Sequence, residues 1–321
     1  MSQDGRLSRG IFDAHADTLA FCIHAPEKFQ QREGAQLTLP MLEESEVSYQ
    51  VLAVCVDRIF KPAMAVHKTL QMIAGYWEII GSYYPRVYPV LSRRDLAPRK
   101  GVGLILALEG AEGLGGDPML LQVYFKLGVR MLSLTWNDRN EFADGAHESA
   151  QQSRLTGAGR EVIQQANLLG VVVDVSHLNE SCFWDVIFLS RAPVAASHAN
   201  AASLCRHPRN LTDAQLKAVA ETGGVVGVNF YPSFLGGEEV SAGRVLSHLL
   251  YMHDLIGENH VGLGSDFDGM EKTPRDLCSA KDWGELRRAV AGSGLTARQQ
   301  RLILGENWLR LFREVLPENS D

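Results

Sequence analysis

Paired cysteines are missing from this chain. Cys22, Cys55, Cys182, Cys205 and Cys278 are odd in number and widely scattered, and no C-x-x-C occurs among them. Neither a disulfide framework nor a structural zinc knuckle is therefore indicated, and a reducing cytoplasm is the expected compartment. Positive charge is also in deficit. Lys plus Arg number 31 against 38 Asp plus Glu, a formal charge of −7, which argues against a surface for phosphate backbones and against a nucleic-acid partner. No window approaches the roughly 18 apolar residues of a membrane span. The opening "MSQDGRLSRG" has no apolar core of the length a signal peptide requires. Internal repeats, low-complexity tracts and linkers are absent too, so one large domain over 1–321 is expected.

What is present is an alternation. Short β-branched or aliphatic runs are each followed by a polar loop and a longer stretch of helical periodicity, the pattern of a parallel sheet wrapped by helices. The runs are "GIFDA" (10–14), "YQVLAVCV" (49–56), "VGLILAL" (102–108), "VRMLSL" (129–134), "VVVDV" (171–175), "APVAAS" (192–197), "GVVGVNF" (224–230) and "HVGLGS" (260–265). Helical candidates include 62–82, 117–127, 157–169, 179–190, 212–222 and 240–256, with Asn179, Thr212 and Ser241 as expected caps. Eight runs predict an α/β fold, a (β/α)₈ TIM-type barrel with a C-terminal helical extension, over a doubly wound open sheet. Residues 20–48 read as a long irregular stretch of the rim. "WNDRNEFADG" reads as a solvated loop, with a lid as the sharper alternative.

Reactive groups of such a barrel gather at the C-terminal ends of its strands. His15 and Asp17 follow the first run, Glu109 the third, His177 the fifth, His198 the sixth and Asp266 the eighth. Extended backbone sends side chains i and i+2 to one side, so His15 and Asp17 can converge on one ion. Asp13 shares that parity but sits deeper; it reads as a carboxylate satisfied by buried donors, or as a support behind His15. A lone H-x-D is weak evidence, and a single histidine at a strand end is more often a satisfied core-edge group. Five such groups on one rim favour a metal site. Three imidazoles and two carboxylates exceed what one tetrahedral catalytic ion uses, so two ions are expected: His15 and Asp17 on one, His177 and His198 on the other, Glu109 bridging. The mixed nitrogen and oxygen set suits zinc best, with manganese, cobalt or iron as alternatives. Water held between the ions would be the nucleophile. Asp266 stands outside the ligand set as a proton shuttle, and Asp268 reads as a turn residue.

The motifs "FDAHADT", "LALEGAE", "VVVDVSHLNE", "VAASHANAASLCRHPRNLTDAQL", "HVGLGSDFDG" and "GENWLRLF" resemble, in order, those of the membrane (renal) dipeptidase family of amidohydrolase-like metal hydrolases. The resemblance implies the same five ligands and hydrolysis of dipeptides, often with a D-residue at the C-terminal position. It further implies that Arg209 grips the substrate's terminal carboxylate, that Tyr231 lies on the substrate side, and that the chain forms a homodimer. One position departs: where many members read L-T-H, this chain reads "LTWNDRN" with Trp136. Asn137 or Asn140 then becomes the candidate donor, against a turn-forming role for either. An amidohydrolase of another small amide, lactam or ester is the alternative that Trp136 favours. His24, His67, His147, His207, His248, His253 and His260 are assigned no metal role.

Overall fold

The computed structural model describes residues 10–148 and 153–319, so most of the opening stretch tested for a leader lies outside the described residues. Nine strands occur among them: β1 (Ile11–Asp13), β2 (Val47–Cys55), β3 (Val87–Pro89), β4 (Val102–Glu109), β5 (Val129–Ser133), β6 (Val172–Asp174), β7 (Ala195–Ala196), β8 (Val225–Val228) and β9 (Val261–Leu263). Their order is β2-β1-β9-β8-β7-β6-β5-β4, and β2 pairs in parallel with β4 to close the ring. The eight expected runs are thus the eight barrel strands. The unexpected β3 is not a barrel stave; it pairs with Val102–Leu104 of β4, below the point where β5 takes over that edge.

Alternation within the strands separates two apolar layers. Phe12, Val51, Ile105, Met131, Val172 and Val225 point into the barrel and meet Trp308 and Phe312 from the last helix, Asn307–Val315. Leu52, Leu104, Leu132, Val173 and Val226 point outward and pack under the helices. Trp308 is fully buried and its indole donates to the Leu263 carbonyl at 3.0 Å. Gly262 makes room for it, since a Cβ there would stand 2.3 Å from the indole nitrogen. Emptying that position costs about 3–5 kcal/mol on the scale of buried Trp→Ala changes.

The outer helices follow the strands as the alternation requires: Ala65–Tyr83, Leu120–Lys126, Gly157–Leu169, Glu180–Leu189, Asp213–Glu221 and Ala242–Ile256. Asn179 caps its helix by accepting from the Cys182 amide, and Thr212 forms a capping box with Gln215. Ser241 does not cap with its side chain; Asp276 instead accepts from the Ala242 amide at 2.7 Å. The rim stretch 20–48 is more ordered than its composition suggests. It carries short helices at Leu19–Cys22, Glu27–Gln30 and Leu39–Glu44, and β2 starts at 47. "WNDRNEFADG" is not a solvated loop either: Phe142 is fully buried, Arg139 pairs with Asp144, and Asn140 turns the chain by accepting from Phe142 and Ala143. No helix of the described residues is long and apolar enough to cross a membrane, and all five cysteines are free.

Candidate metal centre

The C-terminal mouth of the barrel gathers every residue singled out for metal binding. The Nε2 atom of His15 lies 3.5 Å from an Asp17 oxygen and 3.5 Å from Glu109 Oε2. Glu109 Oε1 lies 2.8 Å from His177 Nε2 and 3.5 Å from His198 Nε2. The two oxygens of one carboxylate therefore face two different nitrogen groups. Three donor sets form within 4.8 Å: His15, Asp17 and Glu109; Glu109, His177 and His198; and His15, His198 and Asp266. The last set brings Asp266 nearer the ligands than its expected outside position.

Local structure explains the convergence. Glu109 is the last residue of β4 on the inward parity of Ile105 and Ala107. The next residue, Gly110, holds φ 89°, where a side chain would strike Glu112 at 2.2 Å. His177 and Asp266 both adopt φ 68°, a left-handed backbone that turns each side chain off its strand and into the mouth. Asp13 accepts from the Ser265 amide and hydroxyl, at 2.7 and 2.6 Å, and from Gln50 at 3.0 Å. It ties β1 to its neighbours as a satisfied buried carboxylate. Asp268 holds the rim stretch in the same manner, through Thr18, Gln36 and Arg32.

Behind the donors lies a set of supports of which the sequence singled out only Asn137, and that one as a donor to substrate. Asp174 accepts from Ser197 Oγ at 2.5 Å, and that hydroxyl faces His198 Nδ1 at 2.6 Å. With its proton committed to Asp174, the Ser197 oxygen receives one from His198 Nδ1. His177 Nδ1 points at the amide oxygen of Asn137, 2.8 Å away. Both rings thus carry hydrogen on Nδ1, and their bare Nε2 lone pairs meet at 2.8 Å beside a carboxylate. Asn229, fully buried, donates to Asp266 at 2.8 Å. The signals were present in "VVVDVSH", "AASH" and "VNF", but which strand end each polar group serves is decided across strands: Asp174 is three residues from His177 and serves His198.

These residues fit a cation. Two imidazole lone pairs facing each other repel, and His15 Nε2 is buried with no hydrogen-bond partner. Burial, with Glu109 beside it, pushes the Asp17 carboxyl up to about 7, and burial raises Asp266 as well. Burial pulls His177 down to about 3, helped by Arg209, and holds His198 well below the usual imidazole range. The neutral His177 and His198 and the crowded carboxylates are what a divalent ion binds, while, against the effect of burial, Glu109 and Asp17 hold His15 well above the usual imidazole range. Positive charge placed there relieves the carboxylate repulsion and keeps the lone pairs available.

The remaining expected residues are less uniform. Arg209 is buried, donates Nη2 to the His198 carbonyl at 3.2 Å, and lines a cavity that starts at His177. Tyr231 packs edge-on against Phe234, with ring centroids 4.9 Å apart. Trp136 is half-buried, its ring 6.2 Å from that of His177 and 5.7 Å from the Lys61 ammonium. Lys61 pairs with Glu112 at 2.8 Å. Of the two asparagines weighed as donors, Asn140 is the turn former, whereas Asn137 accepts from a site histidine.

A closed parallel barrel whose strand ends present imidazoles and carboxylates around a shared cation position belongs to the metal-dependent hydrolase class. Residues 8–319 match the membrane dipeptidase family, peptidase family M19, and the chain belongs to it. It is accordingly a peptide-bond hydrolase, a dipeptidase and metallopeptidase of that family. The uncharacterized protein in the pqqA 5′ region of Klebsiella pneumoniae is 38% identical over 258 residues, covering 76% of this chain and 95% of that one. Among solved structures, the dipeptidase AC, a metallopeptidase of family M19, is 30% identical, covers 96% of this chain and 99% of its own, and superposes with a TM-score of 0.90. A metallopeptidase from Rhodobacter sphaeroides, solved with a phosphinate mimic of the dipeptide L-Ala-D-Ala, is 29% identical, covers 95% and 99%, and has a TM-score of 0.88.

Proposed function

We propose that the chain is a zinc dipeptidase with two ions per chain, held by His15 and Asp17 on one side, by His177 and His198 on the other, and by Glu109 between them. The observation that carries this reading is the reach of Glu109, whose two oxygens face different imidazole groups. When bound, such ions supply Lewis acidity toward the scissile carbonyl and lower the pKa of attacking water. Arg209 binds the substrate's terminal carboxylate with its planar fork. Asp266, steadied by Asn229, accepts a proton from the attacking water and delivers it to the leaving amine. Its upward shift from burial suits a group that must both take and give. Asn137 and the Asp174–Ser197 pair hold the two imidazole rings in the tautomer that points Nε2 into the mouth. Tyr231 and Trp136 border the substrate.

L,D-dipeptides are included in the proposal, supported by the L-Ala-D-Ala mimic that the Rhodobacter sphaeroides relative accommodates. A homodimer is part of the same reading, measurable by light scattering. The deciding experiment joins elemental analysis to a panel of L,L and L,D dipeptides, N-acyl amino acids and lactones. The expected result is two zinc ions per chain, with both lost together in Glu109→Gln, because a neutral amide cannot compensate two dications. Two ions retained at unchanged affinity in that variant would refute the bridge. Cleavage of lactones or N-acyl amino acids but no dipeptide would replace the substrate assignment.

A further inference from the structure

The cavity that begins at His177 does not end at Arg209. About 660 Å³ in all, it is lined beyond these two residues by His207, Arg206, Glu180 and Gln215. We infer that this outer chamber selects dipeptides whose C-terminal residue has an acidic side chain, aspartyl or glutamyl, with Arg206 as the specificity-determining cation. The inference rests on the reading above, in which Arg209 takes the terminal carboxylate.

Charge is the first argument. Two guanidinium groups line the chamber against a single carboxylate, that of Glu180. The helices Glu180–Leu189 and Asp213–Glu221 both start at this wall, adding the partial positive charge of their N-termini. The state of the two arginines is the second. Arg209 is 5% exposed, its Nε has no hydrogen-bond partner, and among the described residues no carboxylate pairs with it within 4.0 Å. A buried cation without a protein counter-ion is costly unless a ligand provides one. Arg206 is exposed and, among the described residues, forms neither an ion pair nor a side-chain hydrogen bond. His207 sits between them in sequence. Its Nδ1 accepts from the Arg209 amide at 3.1 Å, so Nε2 carries the hydrogen and is a further donor.

A dipeptide ending in alanine uses Arg209 and leaves the chamber to water. A side-chain carboxylate brings a second anion to the second guanidinium, and its neutral amide analogue leaves Arg206 with no counter-charge. Charge-assisted pairing of this kind separates near-isosteres where size cannot.

The test uses the zinc-loaded enzyme and compares kcat/KM for Ala-Asp against Ala-Asn and Ala-Glu against Ala-Gln, each with an L- or D-configured second residue, together with Ala-Ala. Calorimetric binding of free aspartate against asparagine is measured alongside as a readout without turnover. The expected result is an acid-over-amide ratio of at least about tenfold that falls to one or below in Arg206→Glu. Ala-Ala cleavage with a ratio near one, or a ratio that Arg206→Glu leaves unchanged, overturns the chamber and spares the dipeptidase reading. Preferential aspartate binding without cleavage of any dipeptide does the reverse. Failure of both binding and cleavage overturns both.

Discussion

Asn137 Oδ1 and His177 Nδ1 lie 2.8 Å apart, so the residue that follows Trp136 is the one that fixes a site imidazole. Replacing that acceptor with an apolar group of similar size leaves the ring free to turn. Asn137→Leu is expected to weaken metal retention by about 10–100-fold, the usual weight of a support behind a ligand, and Asn137→Asp to restore it. Titration of metal content against a chelator reads this directly; equal affinity in all three proteins would remove Asn137 from the site.

Asp266 is proposed as a proton carrier, yet its oxygen is 3.9 Å from His15 Nε2 and within one of the three donor sets. The two roles separate in Asp266→Asn. The proton-carrier role predicts unchanged metal content and a kcat lower by roughly two to four decades. Loss of an ion in this variant would make Asp266 a ligand, and near-normal turnover would take it out of the mechanism.

Trp136 offers one donor and no acceptor, and it does not titrate near neutrality. Beside His177 and under Lys61, it is proposed to act on pocket size rather than on proton transfer. Trp136→His is expected to widen the range of accepted dipeptides while changing kcat on the best small substrate by less than about tenfold, a barrier change of about 1.4 kcal/mol. The measurement is kcat/KM over a series from Gly through Ala and Leu to Phe at each position. Strong dipeptidase activity appearing only in the variant would show that Trp136 excludes dipeptides.

His248 lies fully buried on the helix Ala242–Ile256, accepts from the Ala201 amide at 3.2 Å, and has its pKa pushed down to about 4 by burial and, less, by Arg244. Its unfolded value is near 6.5, so between the two the unfolded chain binds a proton that the folded one refuses. Stability therefore falls as pH drops through that window and is insensitive to this group above it. At about pH 5 the loss is about 2 kcal/mol. Urea unfolding at about pH 7 and about pH 5 should show a smaller drop in His248→Gln than in the parent; an equal drop would assign the sensitivity to other groups.

The barrel was legible because each stave is a short apolar run with nothing else in the chain resembling it, and because His15, Glu109, His177, His198 and Asp266 each interrupt such a run at its C-terminal end. What the sequence hid depends on neighbours in space. Val87–Pro89 pairs only because β4 extends below β5, and a three-residue run containing proline has no strand signature of its own. Asn137, Ser197 and Asn229 look like turn or cap residues until the strands are side by side. His207, assigned no metal role, and Arg206, which carries no motif of its own, become wall residues only beside Thr212 and Gln215 at the start of the helix Asp213–Glu221.

The floor of the barrel is closed by Trp308 and Phe312, which stack against Phe12 of the first strand, the Phe12–Phe312 centroids standing 5.3 Å apart. The inward faces of the early strands therefore have no lid until Trp308 and Phe312 have been synthesised. A nascent chain halted before Trp308 has every stave of the ring but an uncovered apolar bore, a surface that recruits chaperones or seeds aggregates. The contact of Phe12 with Phe312 joins residues far apart in sequence, the kind of non-local pairing that forms late and slowly in folding.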